Sequence, residues 1–319
     1  SPGVTYVKRF FHELRILRQL LRALGQERTS RLVLTSAYPS TVLALKMARL
    51  CCLDVMPTQV VLHGVSGVIG KRYRDPLRRF KDMKTALTLL GNNNIQYLVL
   101  EQVIRNRVLE HLPALSGKIE SFDHPISSDE GPSQAIDLSE PVRFGFLGLA
   151  DKSKGFPLFV EAAKQVTVRY GRRAEFHVIG HSQGVKTPVD STDVLATKPA
   201  RIQMSRADFV RGVSPLHFVV LPYELGSYTL TASGVMLDAI AWQKPVVARK
   251  LPIFEAMFER YGDIGYLFNH DVELPDIMEQ ILHEADKLRY RVQVLNLQNA
   301  RKSRAPEALA ESYRGICRD

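Results

Sequence analysis

Residues 216–248 read LHFVVLPYELGSYTLTASGVMLDAIAWQKPVVA. An apolar run, LHFVVLP, closes on a proline. A small-residue turn, Thr231-Ala232-Ser233-Gly234, then opens an apolar helical run over 233–242, which Lys244-Pro245 stops ahead of the strand-like PVVA at 245–248. Strand, turn, helix and strand in that order make one βαβ unit, and such units build parallel sheets. A single carboxylate, Asp238, sits inside the helical run just over a turn from its start. Surface helices spread their charges over a polar face. A lone acid here suggests a helix start that faces a ligand, and its plainer explanation is a favourable interaction with the helix dipole.

The same alternation extends in both directions. On the amino side stand VRFGFLG (142–148), a helix at 155–170, AEFHVIG (174–180) and a helix near 205–212. On the carboxyl side come a short helix at 252–259, IGYLF (264–268) and a long helix from about 273. An earlier set has strand-like RLVLTS (31–36), TQVVLH (58–63) and IQYLVL (95–100), with helical runs at 40–52, roughly 72–90 and 101–112. Between the sets, 123–141 is rich in Pro, Ser and acids and reads as a linker. Two alternating sets joined by a polar linker predict two Rossmann-like α/β domains. Ligands of such sheets bind at the carboxyl ends of strands, where helices begin, and the 229–234 turn lies at such an edge.

The totals fit this picture. The chain has 319 residues, 45% hydrophobic and 24% charged, a globular composition of two-domain length. No apolar run of transmembrane length occurs, and the opening SPGVTYVKRFFHEL lacks the apolar centre of a secretory signal. Cys51, Cys52 and Cys317 suggest neither a disulfide framework nor a zinc site, so a reducing cytosol is expected. The net charge of +10 favours anionic partners, but no nucleic-acid-binding module is visible. Residues 8–24 are helical by period, with Phe10, Leu14, Leu17, Leu21 and Leu24 in one stripe flanked by Arg9, Arg15, Arg18 and Arg22. Such a helix fits a protein core, the commoner case, or an anionic membrane surface.

Three places carry candidate chemistry. After Gly148 a polar loop presents Lys152 and Lys154 before Gly155 leads into a helix; cations and free N–H groups at a helix start suit phosphate, while solvated lysines on an ordinary loop are the plain alternative. At the 231–234 turn, Ser233, Gly234 and Val235 offer N–H groups where the helix dipole is positive; an ordinary N-cap by Ser233 or Thr231 explains the same residues. Asp238 could accept bonds from ribose hydroxyls. His63, closing TQVVLHG, lies at a strand's carboxyl end. His177 reads as a strand residue with a satisfied ring, and His181 lies at a loop edge.

From about 140 to 270 the chain resembles the retaining glycosyltransferases of the GT-B fold, which use nucleotide-sugar donors. FGFLGLADKSKGFPLFVEAA is similar to their strand–loop–Lys-Gly–helix segment, AEFHVIG to the next core strand, LHFVVLPYELGS to the strand that ends in Pro, SGVMLDAIAWQKPVVA to their acid-bearing helix and following strand, and IGYLF to a later strand. The first half matches more loosely, through LVLTSAYPS, VVLHG and YLVLEQVIRNRVLEHLP, and looks shortened by one or two opening βα units. The resemblance implies an acceptor domain at 1–125, a linker at 126–140, a donor domain at 141–300, a tail at 301–319 that packs on the first domain, and a deep cleft between the domains. It places Lys154, with Gly148, Lys152 and Gly155, at the donor diphosphate, gives the backbone donors to Ser233, Gly234 and Val235, puts Asp238 on the ribose in place of the usual Glu, and sets His63 and Glu224 near the transferred sugar. It departs from the family at Leu149, where an Arg is common, at Leu230, where the first of two glutamates stands, and in lacking the opening glycine-rich loop.

The implied activity is transfer of a sugar from a nucleoside diphosphate to a glycan or lipid-linked acceptor, with retention, with no cofactor and no metal. The implied setting is polysaccharide biosynthesis in the cytoplasm, with the protein peripheral to a membrane's inner face and without nucleic acid. A non-catalytic donor-binding or complex-forming subunit and a nucleotide-sugar epimerase remain open alternatives.

Overall fold

The computed structural model describes residues 2–24, 31–50, 56–65, 75, 81–91, 94–127, 131, 136–182, 193–226 and 230–318. Cys51, Cys52, residues 72–74 and 76–80 of the helix expected over 72–90, and part of the 126–140 linker lie outside them. The chain forms two units. One comprises Ser1–His124 with Leu230–Ala232 and Ser312–Asp319; the other comprises Pro125–Thr229 and Ser233–Glu311.

In the first unit, β1 (Leu32–Leu34), β2 (Thr58–Leu62), β3 (Ile95–Leu100) and β4 (Ile119–Phe122) lie side by side in chain order, all parallel. The helices are α1 (Pro2–Leu24), α2 (Pro39–Leu50), α3 (Met83–Thr88) and α4 (Gln102–His111). The α1 stripe is core: Phe10, Leu14, Leu17 and Leu21 are buried, and α1 packs on α2. Glu13 fixes that packing by accepting from the hydroxyls of Ser40 (3.1 Å) and Thr41 (2.9 Å) while pairing with Arg9 at 2.8 Å. The stripe therefore faces protein and not lipid. Phe11, Arg15, Ile16 and Arg22 form the outward side. No helix among the described residues is long and apolar enough to cross a membrane.

The second unit holds β5 (Val142–Leu149), α5 (Phe156–Tyr170), β6 (Ala174–His181), β7 (Leu195–Thr197), α6 (Arg206–Val213), β8 (Phe218–Leu221), α7 (Gly234–Ala241), β9 (Val246–Arg249), α8 (Pro252–Tyr261), β10 (Gly265–Phe268), α9 (Glu273–Glu284) and α10 (Lys287–Ser303). The sheet is parallel throughout, in the order β10-β9-β8-β5-β6-β7. Numbered from β5, this is the 3-2-1-4-5-6 order of dinucleotide-binding sheets. Its centre is aromatic: Phe144 stacks on Phe176 and on Phe218, each at 5.6 Å between centroids, one ring from each of three adjacent strands. Offset aromatic pairs of this kind add to the apolar burial.

Three expectations change. The strands β4 and β7 were not expected. The helix expected from 273 is three helices: Ala285 turns left-handed after α9, Asp286 caps α10, and Pro306 starts α11 (Pro306–Arg318). Residues 312–318 of α11 belong to the first unit, where Tyr313 donates to Gln59 Oε1 at 2.8 Å and packs edge-on to Phe122.

Candidate functional site

At the middle of the second sheet the direction of strand addition reverses. From β5 the chain adds β6 and β7 on one side; β8, β9 and β10 fill the other. Open α/β sheets bind ligands at this reversal, outside the carboxyl ends of the strands. Two loops leave there, 150–155 after β5 and the one that follows β8.

The β5–α5 loop is shaped by Asp151. Its Oδ1 accepts from the Ser153 hydroxyl at 2.8 Å and from Lys154 N, three residues on, at 2.9 Å, local bonds that hold the loop. Gly155 follows at φ 74°, and a Cβ there would lie 1.7 Å from the Pro222 carbonyl oxygen. Only glycine permits both the left-handed backbone and this approach. The loops are also bonded directly, Glu224 N donating to Ser153 O at 3.0 Å. Gly148 is left-handed too, at φ 84°; Lys154 Nζ lies 3.1 Å, and Val235 Cγ2 3.6 Å, from where its Cβ would stand. The bare backbone of Gly148 thus brings the Lys154 ammonium next to the first turn of α7. Burial pushes the Lys154 ammonium below its ordinary value, and the charges of Asp151 and Asp238 hold it part of the way back.

Ser233 caps α7: its buried hydroxyl accepts from Met236 N at 3.2 Å and shares a hydrogen bond with Tyr223 Oη at 3.0 Å. The N-cap explanation of Ser233 is therefore realised. Gly234 is exposed and Val235 buried at the head of the helix, where backbone N–H groups lack partners within the helix. Asp238 Oδ1 lies 3.7 Å from Arg206 Nη1, at the first residue of α6. Lys152 is exposed, 3.9 Å from Glu224.

The sequence-predicted residues of the second unit are thus gathered: Gly148 at the end of β5, Lys152, Lys154, Gly155 and Glu224 on two bonded loops, and Ser233, Gly234, Val235 and Asp238 at the cap and in the first turns of α7. His63 belongs to the first unit. It is exposed at the end of β2, its Nε2 2.8 Å from the Thr35 carbonyl oxygen and its ring 6.1 Å from that of His124. Just beyond it, Gly64 bridges to Thr231 and Val65 N donates to Leu230 O at 3.0 Å. Leu230 is wholly buried. His177 is satisfied as expected, by Thr197 Oγ1 at 3.0 Å and Glu175 at 3.3 Å, and burial lowers its pKa. Asp151, Tyr223 and Arg206 were missed. The Asp-x-Ser-Lys-Gly run could have revealed the first, because Asp side chains bond nearby backbone in turns; nothing local marks the other two. Among the described residues, no three His, Cys, Asp or Glu side chains cluster to hold a metal.

Taken together, the arrangement offers an ammonium, helix-start N–H groups and a carboxylate one turn further on. Neither a protein-family model nor a curated protein matches the sequence. Solved structures do. TarM from S. aureus is 16% identical, with a TM-score of 0.69 over 95% of this chain and 58% of its own. Sucrose-phosphate synthase from Thermosynechococcus elongatus is 14% identical, with a TM-score of 0.69 over 98% of this chain and 79% of its own. Anabaena HepE, solved with UDP, is 12% identical, with a TM-score of 0.70 over 95% and 82%. The chain spans under two thirds of the length of TarM. These likenesses establish the fold as GT-B, with two Rossmann-like α/β domains.

Proposed function

We propose that the protein is a glycosyltransferase that takes a sugar from a nucleoside-diphosphate donor held in the second unit. The observation that carries this is the placement of Lys154 against Gly148, beside the start of α7 and at the reversal of the sheet. In this reading Lys154 and the N–H groups of Gly234 and Val235 stabilise the leaving diphosphate, as preorganised donors do where charge develops. Asp238 holds the ribose. Glu224 attends the sugar, and an acceptor oxygen of a glycan or lipid-linked molecule attacks with retention of configuration and without a metal; His63 is the first unit's candidate for the chemistry. The UDP bound to HepE supports a nucleotide ligand on this fold. The proposal extends to a cytoplasmic protein at an anionic membrane, met by the outward side of α1.

Thermal shift with UDP and GDP tests the core of this reading, because a ligand that binds only the folded state raises its stability by about 2.7 kcal/mol at a hundredfold excess over Kd. No shift with either nucleotide would refute it. Binding to anionic vesicles that fails to weaken with salt would refute the membrane extension. A second reading, donor binding without transfer, draws on Leu230: where the resembled family carries an acid, this chain buries a leucine. Binding without donor turnover across acceptors would favour it.

A further inference from the structure

The diphosphate reading raises a question of charge. Around Lys154 the two loops and α7 present Lys152 and Lys154 against Asp151, Glu224 and Asp238. Among these described residues acids outnumber bases, yet a diphosphate brings at least one negative charge per phosphorus. Asp151 is committed to its bonds with the Ser153 hydroxyl and Lys154 N, and Lys152 stands in solvent beside Glu224. At the end of the neighbouring β9, Arg249 pairs with Asp271, and Lys250 lies 3.3 Å from Glu255. Where the resembled family has a cation directly after Gly148, this chain has Leu149. Side-chain charge among the described residues so far does not balance the ligand assigned to the site.

Among the described residues a further cation reaches the cluster, and it comes from another element. Arg206 opens α6, and its guanidinium stands 3.7 Å from the same Asp238 carboxylate whose charge acts on Lys154. That separation is an ion-pair distance and exceeds a hydrogen bond. The side chain is about half exposed, at 48%, and its guanidinium carbon lies 5.0 Å from the centre of the Phe209 ring. With Arg206 counted, bases equal acids before the helix dipole of α7 is added. A guanidinium also matches phosphate geometry with paired donors, which an ammonium does not.

We infer that Arg206 supplies the second cationic group of the donor site, binding the diphosphate from α6 in place of the cation missing at position 149. The inference rests on the donor-binding reading of the second unit. It also restricts the ligand to one with phosphate charge, because a neutral nucleoside gives Arg206 nothing to neutralise.

Calorimetry with uridine and UDP, and with guanosine and GDP, on the parent, Arg206→Ala and Arg206→Lys tests it. Arg206→Ala is expected to lose about tenfold in affinity for the diphosphate and to keep its affinity for the nucleoside within about twofold. Arg206→Lys should recover part of the loss. Should Arg206→Ala melt below the assay temperature, Arg206→Gln gives the same comparison. Equal losses for nucleoside and diphosphate would overturn the inference, because Arg206 would then only position Asp238 at the ribose. Unchanged diphosphate affinity would overturn it as well. Failure of the parent to bind either diphosphate would instead strike the donor reading itself, and a parent that binds separates the two questions.

Discussion

Lys154 is the residue on which the proposed donor site turns. Burial lowers its pKa, and Asp151 and Asp238 partly restore it, so its ammonium form is held less tightly than that of an exposed lysine. Lys154→Ala should weaken nucleoside-diphosphate binding by roughly 1–3 kcal/mol, the scale of a lost charged hydrogen bond; equal affinity by calorimetry would remove Lys154 from the site. The depressed value also sets a pH dependence. Binding that needs the charged form should weaken as pH rises through the folded-state value, below the ordinary 10.5 of a lysine. For Asp238→Asn we expect weaker nucleotide binding with little change in melting temperature, since the side chain is partly exposed. A fall in stability with unchanged affinity would give Asp238 a purely structural part. Of these proposed groups Lys154 and Asp238 could be named from the sequence, because both stand at fixed offsets from a glycine or a cap. Arg206 was invisible: its partner is on a helix that begins 28 residues later, and no local pattern encodes that meeting.

The loop after β5 and the loop after β8 hold each other through Gly155. Gly155→Ala would need φ near 74° and would set a methyl 1.7 Å from the Pro222 carbonyl oxygen. Left-handed strain and overpacking together predict a loss of about 2–4 kcal/mol, read as a lower denaturation midpoint; an unchanged midpoint would mean that the two loops are not in this contact. Elements with strong periodicity or a sharp stop were legible, among them β3, α5 and α8. The strands β4 and β7 were not: Ile119–Phe122 contains Glu120 and Ser121, and Leu195–Thr197 ends on Thr197, so neither shows the apolar run that marks the equally short β1 and β9. The run from 273 failed for another reason. Apolar spacing continues across Ala285 and Asp286, and only the backbone shows that α9 stops there and α10 is capped afresh. The stripe of α1 was equally visible in either of its readings, because a helix that faces lipid and one that faces α2 present the same period.

Each unit buries a lysine whose pKa falls to about 8. Lys46 donates to the carbonyls of Leu87 and Leu89 in the first unit, and Lys244 to that of Ser214 in the second. Burial is the leading cause in both. Between about 8 and the ordinary 10.5, such a lysine is more often neutral in the folded protein and protonated in the unfolded chain. The unfolded state then binds more protons, so stability from these groups rises with pH across that window. Lys244→Met should flatten the rise in melting temperature over the same range relative to the parent; an identical rise in both proteins would show that Lys244 keeps its proton when folded.

The two sheets also differ in how far apart in the chain their neighbouring strands lie, which bears on the order in which they assemble. In the first, each strand lies beside its successor, so the sheet can grow step by step as the chain emerges. In the second, β5 must await β8, a join that includes the bond from Arg143 N to His217 Nδ1 across 74 residues. Closing so long a loop carries an entropy cost that is met before any contact rewards it. Amide protection during refolding should therefore reach β2 and β3 before the β5–β8 seam, and simultaneous protection would mean that the seam nucleates the fold. The seam whose reversal creates the candidate site would then be among the last parts of the molecule to exist, and a nucleotide that binds there could act only on chains that have already finished folding.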